Sequence, residues 1–215
     1  MEKVTLLFGL QIYLINILKL MQNIELNIHK YDKYFITPDY NNSDNYFKKI
    51  EKILDDGVKL LQFRSKNLSK DQYSHISRKI YDICIKYESY FIINDFKNFK
   101  NNQYCDGVHL TSNNLLYDNF SDISSDYIIS GSCHNEVEID ICNSNKLNFI
   151  VVSPIFNKGS KEGLGWNTFR DFVLRSNIPV FALGGMNYKR DIGFVRECGG
   201  HGIAAISYFY HLFDT

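Results

Sequence analysis

The sequence predicts an α/β protein, a single compact (β/α)8 barrel (TIM barrel) preceded by an extra N-terminal apolar or helical segment. From Tyr34 onward, short runs rich in β-branched and aromatic residues recur eight times, separated by polar segments of helical length or by tight turns. Strict alternation of strand and helix implies parallel strands joined by crossover helices. Eight such units suggest a closed barrel, with an open doubly wound sheet as the alternative.

Each predicted strand is a short apolar run flanked by polar or turn residues. The eight strands span 34–39, 59–65, 89–95, 107–110, 127–132, 148–156, 179–185 and 202–207. Five helices are predicted at 43–57, 69–87, 135–145, 167–175 and 187–198, whereas the connections near 96–104 and 112–122 look short or irregular. About 180 residues follow Tyr34, fewer than the roughly 250 typical of this fold, so the helices must be compact.

The first residues need a separate interpretation. Val4 to Met21 is strongly apolar over about the length of a membrane span, but Gln11, Asn16 and Lys19 interrupt it, and its flanks do not favour a signal peptide. We expect an amphipathic helix packed on the domain, or a true start at Met21, and no stable membrane insertion. The predicted division is therefore an N-terminal extension over 1–30 and a barrel over 31–215.

Charge and cysteine content limit the function classes. Lys plus Arg equal Asp plus Glu at 24 each, and no block of like charge stands out. A general nucleic-acid binder is therefore not expected, and phosphate recognition must be local. The five cysteines are scattered without metal-site spacing, which favours reduced thiols in a cytoplasmic protein. Apolar positions outside the barrel are compatible with a homo-oligomer.

Polar residues accumulate where the predicted strands end, which is where active sites of such barrels lie. Gln62, Arg64 and Lys66 alternate along strand 2 and should share one face, although a wet edge strand would give the same pattern. Further polar side chains follow strands 3 to 6: Asn94, Asp95, His109, Ser132, His134, Lys158, Ser160 and Lys161.

Two anion sites are predicted at this end of the barrel. Gly184 and Gly185 after strand 7, with a helix beginning at Ser207, would form a phosphate cradle from backbone N–H groups. Arg64, Lys66 and Lys161 would form a second and more cationic site. The pair suggests two phosphorylated ligands, or one phosphate and one diphosphate.

Three residues keep alternative interpretations. Asp95 could hold Mg²⁺ or cap a helix. His109 could act in catalysis or be a hydrogen-bonded histidine inside the mouth. His134 could serve as a general acid or base, or as a turn residue.

With these residues placed, the chain resembles the superfamily of thiamin phosphate synthases and TenI-type thiazole tautomerases. The resemblance runs from Tyr34 to about Ser207 and rests on eight landmarks in order: YFITPD, GVKLLQFRSKNLS, FIINDF, DGVHL, ISGSCH, VVSPIFNKGSK, VFALGGM and HGIAAIS.

The resemblance implies roles for individual residues. In the synthase, residues matching Gln62, Arg64 and Lys66 bind hydroxymethylpyrimidine diphosphate, and those matching Asn94, Ser132 and Lys161 complete the diphosphate shell. Asp95 would bind magnesium, while Gly184, Gly185, Ile206 and Ser207 would take the thiazole phosphate. We therefore predict catalytic roles for Arg64, Lys66, Ser132, His134 and Lys161, and substrate binding by Gln62, Asn94, Ser160, Gly184, Gly185, Ile206 and Ser207.

Departures from the synthase pattern keep other functions open. Asn114 stands where the synthase has a second magnesium-binding aspartate, Phe96 replaces an arginine, and Lys158 replaces a hydroxyl residue. One alternative is a TenI-like tautomerase, an isomerase with His134 as its acid and base. The other is a non-catalytic protein that binds a thiamine precursor.

Overall fold

The computed structural model describes residues 28–43, 45–157, 159 and 162–214, and it contains a closed barrel of eight parallel strands in sequence order. The predicted fold class is thus confirmed. The strands are β1 (Lys33–Ile36), β2 (Leu60–Phe63), β3 (Tyr90–Asn94), β4 (Gly107–Leu110), β5 (Ile128–Cys133), β6 (Phe149–Val152), β7 (Val180–Ala182) and β8 (Gly202–Ala205). Pairing of β1 with β8 closes the barrel.

A helix follows every strand. These helices are α1 (Asn45–Asp55), α2 (Lys70–Lys86), α3 (Phe96–Lys100), α4 (Ser112–Tyr117), α5 (Glu136–Ser144), α6 (Gly165–Arg175), α7 (Tyr188–Glu197) and α8 (Ser207–Tyr210). The short helices α3 and α4 occupy the connections that were predicted to be short or irregular. A 3-10 turn, Ile28–Lys30, precedes β1. The apolar run from Val4 to Met21 lies outside the described residues, and the division into 1–30 and 31–215 stays a prediction.

No helix in the described part of the chain combines the length and the apolar character needed to cross a membrane.

Several strands end earlier than their apolar runs predicted. β2 ends at Phe63, so Arg64 and Lys66 lie in the following loop and not on the strand. The backbone N–H of Arg64 leaves the strand ladder and donates to Thr37 Oγ1 at 3.1 Å. β7 likewise ends at Ala182, before the glycine pair. Apolar residues can continue into the core beyond a strand end, as Ile155 does after β6, so apolar runs overpredict strand length.

The core has two layers. Inside the barrel, large rings pack edge to face, with 5.1 Å between the ring centroids of Tyr34 and Phe149. Glycine makes room for them: a Cβ on Gly202 would lie 2.7 Å from Phe181 Cε1. Outside, the opposite strand faces pack against the helices. Polar residues such as His109, Ser132 and Asn94 lie near the carboxyl ends of their strands, so the barrel opens into a polar mouth there.

Candidate active site

The loop after β2 carries cationic groups over the mouth. Thr37 and Asp39, both from the YFITPD motif, hold this loop: Thr37 Oγ1 accepts from Arg64 N, and Asp39 Oδ1 accepts from Lys66 N at 2.8 Å. Arg64 is half-buried and Lys66 exposed. Neither cationic side chain forms an ion pair with any residue that the structure describes. Arg64 in particular is available for an anion.

Gln62 lies below this loop, inside the barrel. It is 1% exposed, and its Nε2 donates to the Tyr34 hydroxyl at 2.9 Å. The predicted substrate-binding amide therefore lies at the floor of the mouth, held by a tyrosine from β1. Burial raises the pKa of Tyr34 well above its ordinary value, so this hydroxyl stays protonated and available as a donor.

His109 lies at the centre of a hydrogen-bonded group in the mouth. Its Nδ1 is 2.8 Å from Ser130 Oγ, and its Nε2 is 2.8 Å from Ser132 Oγ. The Ser130 hydroxyl also donates to the Val108 carbonyl at 3.4 Å. The side chains of β4 and β5 thus form one polar network.

The imidazole of His109 is neutral. Burial, and then the nearby charge of Arg64, lower its pKa to about 3. A protonated ring would have to lose its hydration without a carboxylate partner, which costs far more than keeping the ring uncharged. His109 therefore acts as a hydrogen-bonding group at neutral pH and not as a general acid.

Asp95 occupies a strained position at the end of β3. Its backbone has φ 79° and ψ 133°, a conformation almost restricted to glycine. Its Oδ1 accepts a hydrogen bond from Lys97 N at 2.8 Å and so caps α3. Helix capping is one of the two roles predicted for Asp95 from the sequence. Its Oδ2 accepts no hydrogen bond from the described residues, which leaves this oxygen for a ligand. The neighbouring Asn94 is half-buried at the same strand end.

Asn114, the residue in place of a second aspartate, has a structural role. Its Oδ1 accepts hydrogen bonds from Thr111 N and Oγ1, both at 2.9 Å, and from Phe96 N at 3.3 Å. Its Nδ2 donates to Asp118 Oδ2 at 2.7 Å. Every polar atom of this amide is occupied, so it stabilises the start of α4 and offers no lone pair to a metal.

The donor set for a metal is therefore small. Among the described residues, no three His, Cys, Asp or Glu side chains are grouped so that they could hold an ion. Asp95 alone fits a magnesium ion whose remaining ligands are phosphate oxygens and water, which is a common arrangement for this metal. This donor set does not provide the two carboxylates that the synthase pattern would require.

His134 lies just beyond β5 and is exposed. Its Nδ1 is 2.5 Å from the Ser153 carbonyl oxygen at the end of β6. Because a carbonyl can only accept, Nδ1 carries a hydrogen, and Nε2 of the neutral ring is left as an acceptor. The structure thus holds the ring in one tautomer at the rim of the mouth.

The other side of the mouth is built from backbone. Gly184 and Gly185 follow β7 with φ 107° and φ 71°, and a Cβ on Gly184 would lie 2.8 Å from Pro154 Cα. Their N–H groups have no acceptor among the described residues. Glycine is required here because both the backbone conformation and the space exclude a side chain.

The end of β8 adds further N–H groups beside this turn. Ile206 and Ser207 lead into α8, whose first N–H groups have no partner within the helix. Pairing of Ala182 with Ile203 places the ends of β7 and β8 next to each other. The segments that carry Gly184, Gly185, Ile206 and Ser207 therefore follow neighbouring strands, and their role in phosphate binding stays a prediction.

A charged pair that the sequence analysis missed supports the glycine turn. Asp191 is 2% exposed, accepts from Asn187 N at 2.7 Å and pairs with Arg190 through two hydrogen bonds. Arg190 in turn donates to the Gly185 carbonyl at 3.4 Å. The sequence signal was an acidic residue in the first turn of α7, which on its own indicates only a helix cap.

Three residues of the predicted cationic loop, Lys158, Ser160 and Lys161, lie outside the described residues. Their predicted roles stay predictions. Beside the mouth, the loops after β1 and β2 and helix α2 enclose a groove of about 540 Å³, and its lining contains none of the predicted site residues. The polar mouth is thus the better candidate site.

Comparisons with known proteins identify the family of the chain. The family model described as thiamine monophosphate synthase matches residues 33–209. The thiamine-phosphate synthase of Fusobacterium nucleatum is 29% identical, with 77% of this chain and 82% of the relative covered. That of Methanococcus maripaludis is 25% identical, with coverages of 81% and 85%.

A solved structure agrees at the level of the fold. The thiamine phosphate pyrophosphorylase from Pyrococcus furiosus superposes with a TM-score of 0.70 at 23% identity, over 84% of this chain and 88% of that one. The family match covers the whole barrel, including every described strand end that contributes to the mouth. The chain therefore belongs to the thiamine monophosphate synthase family and is a transferase of thiamine biosynthesis.

Proposed function

We propose that the chain joins hydroxymethylpyrimidine diphosphate to thiazole phosphate, giving thiamine phosphate and diphosphate. One observation carries the proposal: the mouth combines a side-chain anion site on the β2 side with a backbone anion site at β7 and β8. A single phosphorylated substrate would need only one of the two. The family assignment supports the same reaction class.

The β2 side suits the diphosphate. Arg64 has no carboxylate partner among the described residues and can grip two phosphate oxygens in a fork, while Lys66 adds a point charge. Asn94 and Ser132 offer uncharged donors from the neighbouring strand ends. By resemblance, Ser160 and Lys161 would complete this shell.

The β7 and β8 side suits a monophosphate. Free N–H groups of Gly184, Gly185 and Ser207 can approach one phosphate closely, since no side chain intervenes at the glycines. Because backbone N–H groups carry no net charge, this site is less cationic than the first. It would hold the thiazole phosphate with its ring towards the centre of the mouth.

The proposed reaction is dissociative. The bond between the pyrimidine methylene carbon and the diphosphate oxygen breaks, and its electron pair leaves with diphosphate. The lone pair of the thiazole nitrogen then forms the new bond to the cationic carbon. Arg64 and Lys66 would stabilise the negative charge that develops on the leaving group, and the two anion sites would hold the reacting atoms in line.

Magnesium, which the resemblance implies, would be held by Asp95. When bound, it would neutralise part of the charge on the diphosphate. Because Asn114 supplies no lone pair, more of this neutralisation falls on Arg64 and Lys66 than in a site with two carboxylates.

The test is an assay of the purified full chain with both substrates and Mg²⁺, following thiamine phosphate and released diphosphate. We expect product from the wild-type protein, at least a hundredfold loss in Arg64→Ala, and near-normal activity in Arg170→Ala. Arg170 is a matched control because it is an exposed arginine on α6. Binding of thiazole phosphate without any product would reject the proposal and leave a tautomerase or a non-catalytic binder.

One observation favours the tautomerase as a second candidate. The Ser153 carbonyl holds His134 with Nε2 as the free acceptor, which is the state that a general base needs. If the chain is a tautomerase, His134→Ala should abolish proton exchange on the carboxythiazole phosphate, and Lys66→Ala should leave it largely intact. A fully active His134→Ala protein would remove this candidate.

A further inference from the structure

The groove beside the mouth has the dimensions of a small-molecule site. It encloses about 540 Å³, and such sites commonly enclose about 300–1,000 Å³. Its apolar lining comes from Tyr40 and Leu68, which are half-buried, and from Ile76, which is buried. The groove can therefore hold a ligand that has an apolar body.

The two loops that flank the groove are tied to each other by hydrogen bonds. Tyr40 N donates to Ser65 Oγ at 3.0 Å, and the Ser65 hydroxyl donates to Asn67 Oδ1 at 2.6 Å. Asn67 Nδ2 returns to the loop after β1 by donating to the Tyr40 carbonyl at 3.1 Å. The walls of the groove are thus formed without a ligand, and a preformed site pays little conformational entropy when a ligand binds.

Three amide side chains in the lining have oxygens that are already occupied. Asn41 Oδ1 and Gln72 Oε1 each accept a backbone N–H, at 3.2 and 3.0 Å, which fixes these atoms as oxygens because a backbone N–H can only donate. Asn42 Oδ1 accepts from the Tyr40 hydroxyl at 2.9 Å. The NH₂ groups of all three amides donate to none of the residues that the structure describes. These amides therefore offer a ligand donors and no free acceptor.

The charged side chains in the lining are basic. His75 and Lys79 lie on the face of α2 that also carries Gln72 and Ile76, since residues three and four apart share one side of a helix. Both are exposed, and neither forms an ion pair within the described ranges. Lys79 Nζ lies 5.6 Å from the centroid of the Phe47 ring. Among the described residues, no Asp or Glu lines the groove, so an anion would meet donors without meeting a like charge.

We propose that the groove binds a small organic phosphate monoester. Its apolar body would lie against Tyr40, Leu68 and Ile76, and its phosphate would accept from Lys79 and from the amide NH₂ groups. A phosphate suits this lining better than a carboxylate, because it presents three acceptor oxygens and nearly two negative charges to a larger number of donors. The site is separate from both anion sites of the mouth, and it does not depend on the proposed function.

NMR of the full chain with ¹³C-labelled isoleucine methyl groups tests the position of the site, with phenyl phosphate as the probe. Ile76 reports on the groove and Ile206 on the mouth, and the variants Ile76→Val and Ile206→Val assign the two signals. We expect the Ile76 signal to shift with a Kd of about 1 mM or lower. A shift of the Ile206 signal alone would place the probe in the mouth and overturn the inference.

Inorganic phosphate tests whether the apolar part of the ligand contributes. It should shift the Ile76 signal with an affinity at least about fivefold lower than that of phenyl phosphate, because it buries no ring. Equal affinities would mean that the groove attracts any phosphate ion, and would overturn an organic ligand.

A pair of lysine variants tests the role of the charge. Lys79→Gln removes the charge but keeps a long polar side chain, and it should weaken binding of phenyl phosphate about tenfold. Lys70→Gln is the matched control, since Lys70 is an exposed lysine of α2 outside the groove lining. It should change the Kd by less than about twofold at 0.15 M salt. Equal losses in both variants, or none in Lys79→Gln, would overturn the inference. The readout is binding, so an inactive enzyme would count against the proposed function and not against this site.

Discussion

The two sides of the mouth offer different groups to the anions that we propose they bind. On the β2 to β5 side, charged and polar side chains converge from four strands, with Arg64 above the buried network of His109. On the β7 to β8 side, the groups available are backbone N–H groups at Gly184, Gly185 and Ser207. The first side depends on charge, whereas the second depends on the conformation of a turn.

This difference predicts which changes each side tolerates. Removing a charged side chain should weaken binding only at the side-chain site, because the backbone site is proposed to contact its phosphate through N–H groups that do not ionise. Adding a methyl group should damage only the backbone site, where there is no room for one. The predictions below test this separation, beginning with the largest expected effect.

Arg64→Ala should separate the two sites most strongly. We expect diphosphate binding to weaken by about a hundredfold, since a charge-assisted forked contact is lost. Binding of thiazole phosphate should change by less than about twofold, because its contacts lie on the opposite strands. Isothermal titration with each ligand measures both. Equal losses for the two ligands would reject the two-site arrangement.

Gly184→Ala should affect the backbone site. The substitution forces an alanine into φ 107° and brings its Cβ within 2.8 Å of Pro154 Cα. We expect a loss of about 1–3 kcal/mol in the free energy of unfolding and about a tenfold rise in KM for thiazole phosphate, with diphosphate binding unchanged.

Gly57→Ala is the matched control for that substitution. Gly57 has φ 91°, but a Cβ there would meet no atom within 4 Å. The Gly57→Ala variant should therefore have a lower free energy of unfolding because of its backbone conformation alone, without any change in KM. If both alanine variants gave the same kinetics, the role of the Gly184 turn in phosphate binding would be refuted.

The pH dependence of stability should report the buried histidine of the side-chain site. The pKa of His109 is lowered from 6.5 to about 3, so the unfolded chain binds this proton more readily than the folded chain. The stability associated with neutral His109 is fully present above pH 6.5 and is lost as the pH falls towards 3.

Urea unfolding at several pH values measures this effect. Between pH 6 and 4, the wild-type protein should lose up to about 1.4 kcal/mol per pH unit more than His109→Gln, which lacks the titrating group. Parallel pH profiles for the two proteins would contradict a buried neutral histidine. The glycine turn has no counterpart to this effect, since backbone amides do not titrate in this range.

Asn114→Asp should have the smallest effect and tests whether this amide is structural. The new carboxylate would face Asp118, which now accepts the Nδ2 hydrogen at 2.7 Å. We expect a loss of about 1 kcal/mol in the free energy of unfolding at pH 7, because a hydrogen bond is replaced by like charges. The double variant with Asp118→Asn should recover most of it. Increased stability in the single variant would contradict the structural role.

The fold and most of the described strand-end residues could be predicted from the sequence. Hydrophobic periodicity identified all eight strands, and the polar residues beyond them indicated the mouth because parallel strands end on the same side. The strand ends were less predictable. Arg64 and Lys66 were expected on the same strand face as Gln62, but they lie in the loop after β2. Local pattern cannot reveal where a ladder ends, since that depends on the neighbouring strand.

The sequence by itself determined the barrel, the identity of the polar groups at its mouth and the glycines of the turn after β7, because periodicity and conformational preference are local properties. Only the tertiary structure decided that Asn114 bonds to Asp118 and that His109 is a neutral link between Ser130 and Ser132. Burial and hydrogen-bond partners arise from contacts between strands that are distant in the chain. Those contacts determine the protonation state of His109 and which polar atoms of Asn114 are already occupied.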